Sequence, residues 1–232
     1  MGVFKYGNSF IRILTKIANL ILVSLYWVLS CIPVITIVTS SSALYYTVNK
    51  VVNGSGDGVT KAFFMAIKEN FKKGVLLFLI AAGSGAILFF DLYFGYMNYT
   101  KNVFAMVYFF IGIPLGFIWL SMAVYLPVVF SRFDGTVGVI LRLTAYFASR
   151  NILSTLLRIV FLGLIVFLVD YYPVLLLVLP GVYTDLFRNG HEKMMNKYLS
   201  ENGYKEPEKA SERDEEAPAE LTPLEMDELF KK

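Results

Sequence analysis

Long runs without a charged side chain alternate along the chain with short segments that carry lysine or arginine. Residues 17–49 and 102–131 contain no acidic or basic residue over 33 and 30 positions. About 20 apolar residues are enough to cross a bilayer, since ~30 Å of hydrocarbon is spanned at about 1.5 Å per helical residue. The pattern therefore predicts an all-α, polytopic helical membrane protein. Its five expected transmembrane helices lie at approximately 17–46, 74–98, 102–131, 153–169 and 174–186.

Two segments between the apolar runs have the periodicity of helices that lie on a membrane surface. From Val59 to Lys73, phenylalanine and isoleucine recur at helical spacing while lysines occupy another face. Residues 136–150 repeat this arrangement with arginines. Both segments are predicted to be cytoplasmic amphipathic helices, with their basic side chains toward anionic lipid. The basic residues assigned to this role are Lys61, Lys68, Lys72, Lys73, Arg142 and Arg150.

The two ends of the chain differ in composition from the membrane domain expected at 17–187. Residues 1–16 mix apolar and basic positions and are predicted to form an interfacial amphipathic segment. Residues 188–199 are predicted to form a juxtamembrane helix. Residues 200–232, rich in glutamate, lysine and proline, are expected to be a disordered acidic tail, with a short helix at 223–231.

Proline and aspartate leave two alternatives open in the apolar runs. Pro33 removes a backbone donor, so residues 17–46 form either one kinked crossing or a hairpin. Asp170 stands between two apolar stretches, and we prefer two spans to one long span. The reason is that a carboxylate at mid-membrane costs about 2.5–3.5 kcal/mol.

A weak internal repeat relates the first half of the membrane domain to the second. Ile32-Pro33 matches Ile113-Pro114, and the Asp57-Gly58 turn matches Asp134-Gly135. Asp91 and Asp170, each with a tyrosine two residues later, close the two copies. The repeat is therefore an open hypothesis of internal duplication, an arrangement that many transporters share.

Charge is divided unevenly along the chain. Residues 1–199 carry a net charge of +9 and residues 200–232 carry −6. With five crossings, most basic residues and the tail lie on one side, which the positive-inside rule makes cytoplasmic. Three basic residues nevertheless precede the first span, and only a hairpin at Pro33 would bring them to that same side. The carboxyl terminus is predicted to be cytoplasmic, and the side of the amino terminus stays open.

Motifs for soluble enzyme chemistry are absent from the sequence. His191-Glu192 lacks the second histidine of a zinc-protease motif, and His191 is the only histidine. Cys31 is the only cysteine, so an internal disulfide or cysteine-based metal cluster is excluded. No phosphate-binding glycine loop or nucleophile elbow appears. We therefore predict no catalytic residue, no metal, no cofactor, no nucleic-acid partner and no enzymatic activity.

Two other groups of residues are candidates for binding. Carboxylates beside aromatic rings can hold a sugar or a cation, and the candidate ligand-binding residues are Asp91, Tyr93, Asp170, Tyr171 and Tyr172. These residues also suit helix ends at an interface, where tyrosine is enriched. Small residues let helices approach closely. The positions assigned to helix packing are Gly83, Gly85, Gly112 and Gly116.

Several stretches near the amino terminus resemble one family of bacterial membrane proteins. Residues 32–36, 43–45 and 63–72, together with the basic segment before them, are similar to the YesL family, a domain of unknown function. The likeness extends over roughly residues 5–190. It implies a multi-pass protein of the bacterial cell membrane, often encoded beside carbohydrate transporters, but it implies no catalytic residue.

Two functional hypotheses follow from these patterns. The first is a non-enzymatic accessory or scaffold protein of carbohydrate uptake, with the lipid bilayer and the subunits of a sugar ABC transporter as partners. It depends on the resemblance. The second is a small transporter or channel that uses the Asp and Tyr residues of the outer face. The substrate and the oligomeric state stay undetermined at this point.

Overall fold

The computed structural model describes residues 3–55, 58–98 and 100–202, with side chains described for 11–53, 58–98 and 100–202. This part of the chain is helical throughout, without a strand. Its seven α-helices are α1 Val3–Ser30, α2 Ile37–Thr47, α3 Val59–Asn98, α4 Val103–Arg132, α5 Val137–Arg150, α6 Ile152–Tyr171 and α7 Leu179–Glu201. A π-helical segment, Val48–Ser55, continues α2, and short 3-10 turns occur at Val34–Thr36 and Pro173–Leu177.

Four of the described helical stretches are long and apolar enough to cross a membrane. They are Ile11–Ser30, Val59–Asn98, Val103–Arg132 and Ile152–Tyr171. Many of their large apolar side chains are exposed, as lipid-facing positions are. The predicted all-α class is confirmed, and the helices are compatible with a polytopic membrane protein. The expected fifth span at 174–186 is instead divided between a 3-10 turn and the start of α7.

The apolar run at 17–46 forms a hairpin and not one kinked helix. Helix α1 ends at Ser30, three residues before Pro33, because proline cannot donate a backbone hydrogen bond and disfavours helix at the residue before it. The Thr36 hydroxyl lies 2.5 Å from the carbonyl oxygens of Ser30 and Pro33. Across the hairpin, the indole of Trp27 donates to the Ser41 hydroxyl at 3.0 Å. The polar residues of the run therefore close the reversal.

Helices α3 and α4 pack antiparallel along most of their length. Helix α3 runs unbroken for 40 residues, so the predicted surface helix and the predicted second span are parts of one helix. Glycines bring the two helices together: a Cβ added at Gly85 would lie 2.5 Å from the Trp119 ring, and one at Gly112 would lie 2.8 Å from Leu92. In the second half of the chain, by contrast, α5 and α6 are separate helices on either side of Asn151.

Two hydrophobic cores hold the described helices together. One packs α1, α2 and the π-helical segment on the start of α3, around Val23, Val48 and Phe63. The other packs α4 and α5 on α2, α3 and the last turns of α7, around Tyr125 and Phe147. Helix α7 therefore contributes to a core as well as to the surface.

The predicted terminal segments merge with longer elements. Residues 3–16 are the first part of α1, and the juxtamembrane helix expected at 188–199 is the second part of α7. The structure describes the acidic tail only as far as residue 202. The helix expected at 223–231 lies outside the described residues.

Candidate functional site

Helix α7 carries a series of polar residues that contact five other elements. We call these contacts the α7 network, which consists of Asp185, Arg188, His191 and Glu192 with their partners. The partners lie on α1, α2, the π-helical segment, α4 and α6. Because these elements are distant in the sequence, the network fixes the relative positions of most of the described helices.

Glu192 is the centre of the α7 network. One of its carboxylate oxygens accepts a hydrogen bond from the Tyr45 hydroxyl at 2.9 Å and another from the Asn49 side chain at 2.8 Å. Its second oxygen lies 3.7 Å from a guanidinium nitrogen of Arg132. Arg188 donates to the Asn49 side-chain oxygen at 3.2 Å, which orients the asparagine toward the carboxylate. A single acidic side chain thus joins α2, the π-helical segment and α4 to α7.

Asp185 makes a second junction on the same helix, about two turns before Glu192. Its two carboxylate oxygens contact Lys16 of α1 at 2.8 Å and Asn53 of the π-helical segment at 2.9 Å. Asn53 also donates to the Val48 carbonyl at 2.7 Å, five residues earlier in the same π-helical segment. Nearby, the Gly181 amide donates to the Ser24 hydroxyl at 2.9 Å. These contacts place Lys16 beside α7.

A buried cluster of Arg158, Tyr125 and His191 lies on the other side of α7. Arg158 is 2% exposed and His191 is 3% exposed. The guanidinium of Arg158 hydrogen-bonds the Tyr125 hydroxyl and lies 4.9 Å from the centre of the Tyr125 ring and 5.8 Å from that of Phe187. In the described part of the chain no carboxylate pairs with Arg158. Aromatic rings and one hydroxyl therefore compensate this buried charge.

His191 is packed between two tyrosine rings. The ring centres of Tyr45 and Tyr125 each lie 5.7 Å from the imidazole, in edge-on geometry. Neither imidazole nitrogen has a hydrogen-bond partner among the described residues, and the same holds for the Nε of Arg158 and the Tyr183 hydroxyl. Unpartnered buried polar atoms are uncommon in proteins. This cluster is therefore the most unusual polar feature of the described structure.

Burial and neighbouring charges shift the pKa values of the network. Burial, together with the Arg158 charge, lowers the pKa of His191 well below its ordinary value, so the imidazole is neutral near pH 7. Burial and the Glu192 carboxylate raise the pKa of Tyr45, which keeps its hydroxyl as a donor. Burial alone would raise the pKa of Asp185, but the bonds from Lys16 and Asn53 lower it below its ordinary value.

An open apolar groove follows α3, α4 and α5 on a different face. It encloses about 450 Å³. Its lining is predominantly aliphatic and aromatic, and the Trp119 indole donates to the Ser84 hydroxyl within it at 3.1 Å. Asp91 is the one acidic residue among its lining residues. We call this feature the α3–α4 groove.

The residues predicted to bind a ligand are not brought together by the described contacts. Asp91 lies inside α3, which continues to Asn98, and not at a helix end. Asp170 lies in the last turn of α6. Neither carboxylate makes a hydrogen bond or ion pair with a described residue, and their neighbours Tyr93, Tyr171 and Tyr172 are all more than half exposed. Ligand binding by this group stays a prediction.

The glycines and basic residues singled out from the sequence lie in different environments. Gly85, Gly112 and Gly116 face the opposite helix of the α3–α4 pair, whereas Gly83 faces open space. Lys61, Lys68 and Lys72 are exposed on the first part of α3, and Arg142 is exposed on α5. Two of the basic residues form ion pairs: Lys73 with Asp134 at 2.5 Å, and Arg150 with Glu201 at 3.1 Å.

Comparison with protein families gives one match. Residues 20–92 match the family model described as "Protein of unknown function, DUF624". The predicted resemblance to a domain of unknown function is thereby confirmed. No curated protein and no solved structure matches the chain.

The region that matches DUF624 covers the hairpin and most of α3. It contains Tyr45, Asn49 and Asn53 of the α7 network and ends just after Asp91. Their hydrogen-bond partners Asp185, Arg188 and Glu192 on α7 lie outside it. The matched region thus contains one half of the α7 network and the α3 side of the α3–α4 groove. The description of the family assigns an activity to neither of them.

Sequence reasoning missed the α7 network. Taken locally, His191-Glu192 is only a fragment of a metal motif, and no local pattern assigns a role to Arg158. The three groups that bind Glu192 come from positions 45, 49 and 132, so no local spacing joins them. A usable signal was Arg158 itself, because an arginine inside an apolar run needs partners within the protein.

Proposed function

We propose that this chain is a non-enzymatic accessory or scaffold protein of the bacterial cell membrane that acts in carbohydrate uptake. The observation that carries the scaffold role is the open α3–α4 groove on a face whose apolar side chains are exposed. A contiguous apolar groove with few polar groups suits the binding of another helix in lipid. The link to carbohydrate uptake rests on the resemblance to the YesL family.

The α7 network supports one orientation for this scaffold. Through ion pairs, helix α7 contacts Lys16, Arg132 and Arg150, which lie on three different helices, and Arg132 is at the end of α4 opposite the Lys101 turn. Lys101 stands apart, in the turn between α3 and α4. By the positive-inside rule, the end that collects the basic residues is cytoplasmic. The proposal therefore places Lys16 of α1, the surface helices and the end of α7 in or near the cytoplasm.

Co-purification tests the scaffold role directly. The tagged full chain, extracted in a mild detergent from cells grown on different sugars, is expected to retain membrane subunits of a sugar ABC transporter in fixed stoichiometry. An equally abundant, identically tagged polytopic protein from the same membranes serves as the control. Purification of the chain alone under all growth conditions would contradict the proposal.

One observation favours the second candidate function, a small transporter. Arg158 lies in a candidate span and is buried without a carboxylate partner in the described structure, and intramembrane charges of this kind often mark substrate pathways. Sugar uptake by vesicles that hold only this protein, lost in Arg158→Met and kept in Arg142→Met, would support that function. Arg142 is the matched control because it is exposed on α5.

A further inference from the structure

The α3–α4 groove has the dimensions of a helix-binding site. Along α3 its lining residues extend from Ile80 to Asp91, a length of about 16 Å or three helical turns. The opposite wall is formed by Leu115, Ile118 and Trp119 of α4. Backbone polar groups must be satisfied internally in lipid, so a protein segment that fills such a groove is a helix.

Asp91 gives the α3–α4 groove a specific charge. It is exposed, makes no hydrogen bond or ion pair with a described residue, and lies within the apolar part of α3. Its neighbours Phe90 and Phe94 are 68% and 59% exposed, as side chains in contact with lipid are. A carboxylate in these surroundings is unfavourable unless a positive charge approaches it. The groove is therefore complementary to an apolar helix that carries one basic residue.

We propose that the α3–α4 groove binds a transmembrane helix of a partner protein, and that a lysine or arginine of this helix pairs with Asp91. This inference rests on the proposed scaffold function and names the class of partner. Small side chains support close approach along the groove, since Ala81 and Ser84 line it.

A second copy of the chain does not fit this charge requirement. The apolar segments 17–30, 74–98, 103–131 and 159–171 contain no lysine or arginine. Arg158, just before the last of these segments, is buried against Tyr125. A second copy thus has no basic side chain to bring to the depth of Asp91 from these segments, and the partner must be a different protein.

Site-specific photocrosslinking in the native membrane tests this inference. A benzoyl-phenylalanine at Leu115, inside the groove, is expected to crosslink to a partner segment that spans the membrane and contains lysine or arginine. The same probe at Val160, which is exposed on α6, is the matched control and should not capture this segment. Mass spectrometry of the crosslinked peptide identifies the segment.

Charge variants then test the role of Asp91. The crosslinking yield at Leu115 should fall at least about tenfold in Asp91→Asn and stay unchanged in Asp170→Asn, because only the first removes the groove charge. Asp91→Lys combined with an aspartate at the partner's basic position should restore the yield. Equal yields in Asp91→Asn and the unmodified chain would overturn the inference, as would crosslinks to lipid, to a second copy, or to a segment without a basic residue.

The result also separates this inference from the scaffold proposal. If transporter subunits co-purify but do not crosslink at Leu115, the scaffold function stands and the groove assignment fails. If neither occurs, both fail.

Discussion

Replacement of Glu192 by alanine is expected to destabilise the folded chain by about 2–3 kcal/mol. The carboxylate accepts hydrogen bonds from Tyr45 and Asn49 and lies beside Arg132, and its own side chain is only 17% exposed. Alanine would leave a buried hydroxyl, an amide and a guanidinium without their shared acceptor, and each lost bond to a charged group costs about 1.5–3 kcal/mol before relaxation and water entry. The measurement is the free energy of unfolding in detergent.

Glu201→Ala is the matched control for this prediction. Glu201 lies on the same helix and also binds an arginine, Arg150, with two contacts of 3.1 Å. Both side chains are at least 40% exposed, and exposed pairs contribute only about 0–1 kcal/mol. Glu192→Gln should fall between the two, since it keeps an acceptor but loses the charge. If Glu192→Ala and Glu201→Ala unfolded equally, the central role of Glu192 would be refuted.

The helical class and the surface helices were predictable because they depend on local patterns. Charge-free runs of sufficient length predict spans, and the spacing of phenylalanines against lysines in 59–73 predicts an amphipathic helix. The structure keeps both but joins 59–73 to the following span, since Gly74 does not interrupt α3. At this glycine an added Cβ would lie 2.0 Å from the Thr39 hydroxyl, so its role is close packing on α2.

The choice between a kinked span and a hairpin at Pro33 required tertiary contacts. Proline ends a helix in either case. The outcome depends on two bonds that form only when the chain reverses: the Ser40 hydroxyl donates to the Ser30 carbonyl, and the Ser41 hydroxyl accepts from the Trp27 indole. The sequence shows that these serines lower the hydrophobicity of the apolar run. It does not show which groups they hydrogen-bond.

Neither the α7 network nor the position of Asp91 could be predicted from local sequence patterns, and the reasons differ. The network is made of pairs such as Tyr45 with Glu192 and Lys16 with Asp185, which are joined only by the fold. The internal repeat pairs Asp91 with Asp170 and predicts that both residues end helices. Helix α3 instead continues for a further seven residues to Asn98, and this difference changes Asp91 from a terminal residue into a charge within a span.

Replacement of Gly181 by alanine is expected to weaken the attachment of α7 to α1. A Cβ at this position would lie 2.7 Å from the Leu20 carbonyl oxygen and 2.7 Å from the Ser24 hydroxyl. The carbonyl belongs to the backbone of α1 and cannot rotate away, so α7 must shift as a whole. That shift would lengthen the 2.9 Å bond from the Gly181 amide to Ser24 and disturb the Lys16–Asp185 pair. We expect a loss of about 2–3 kcal/mol, the upper range for overpacking.

Gly163→Ala separates this steric cost from the general effect of alanine in a helix. Gly163 lies in α6, and a Cβ there would meet no atom within 4 Å. Alanine in place of glycine favours a helix by up to about 1 kcal/mol, so Gly163→Ala should be neutral or stabilising. Adding Ser24→Ala to Gly181→Ala should recover little stability, because the Leu20 carbonyl remains in place. Equal unfolding midpoints for Gly181→Ala and Gly163→Ala would show that α7 does not pack on α1 at this glycine.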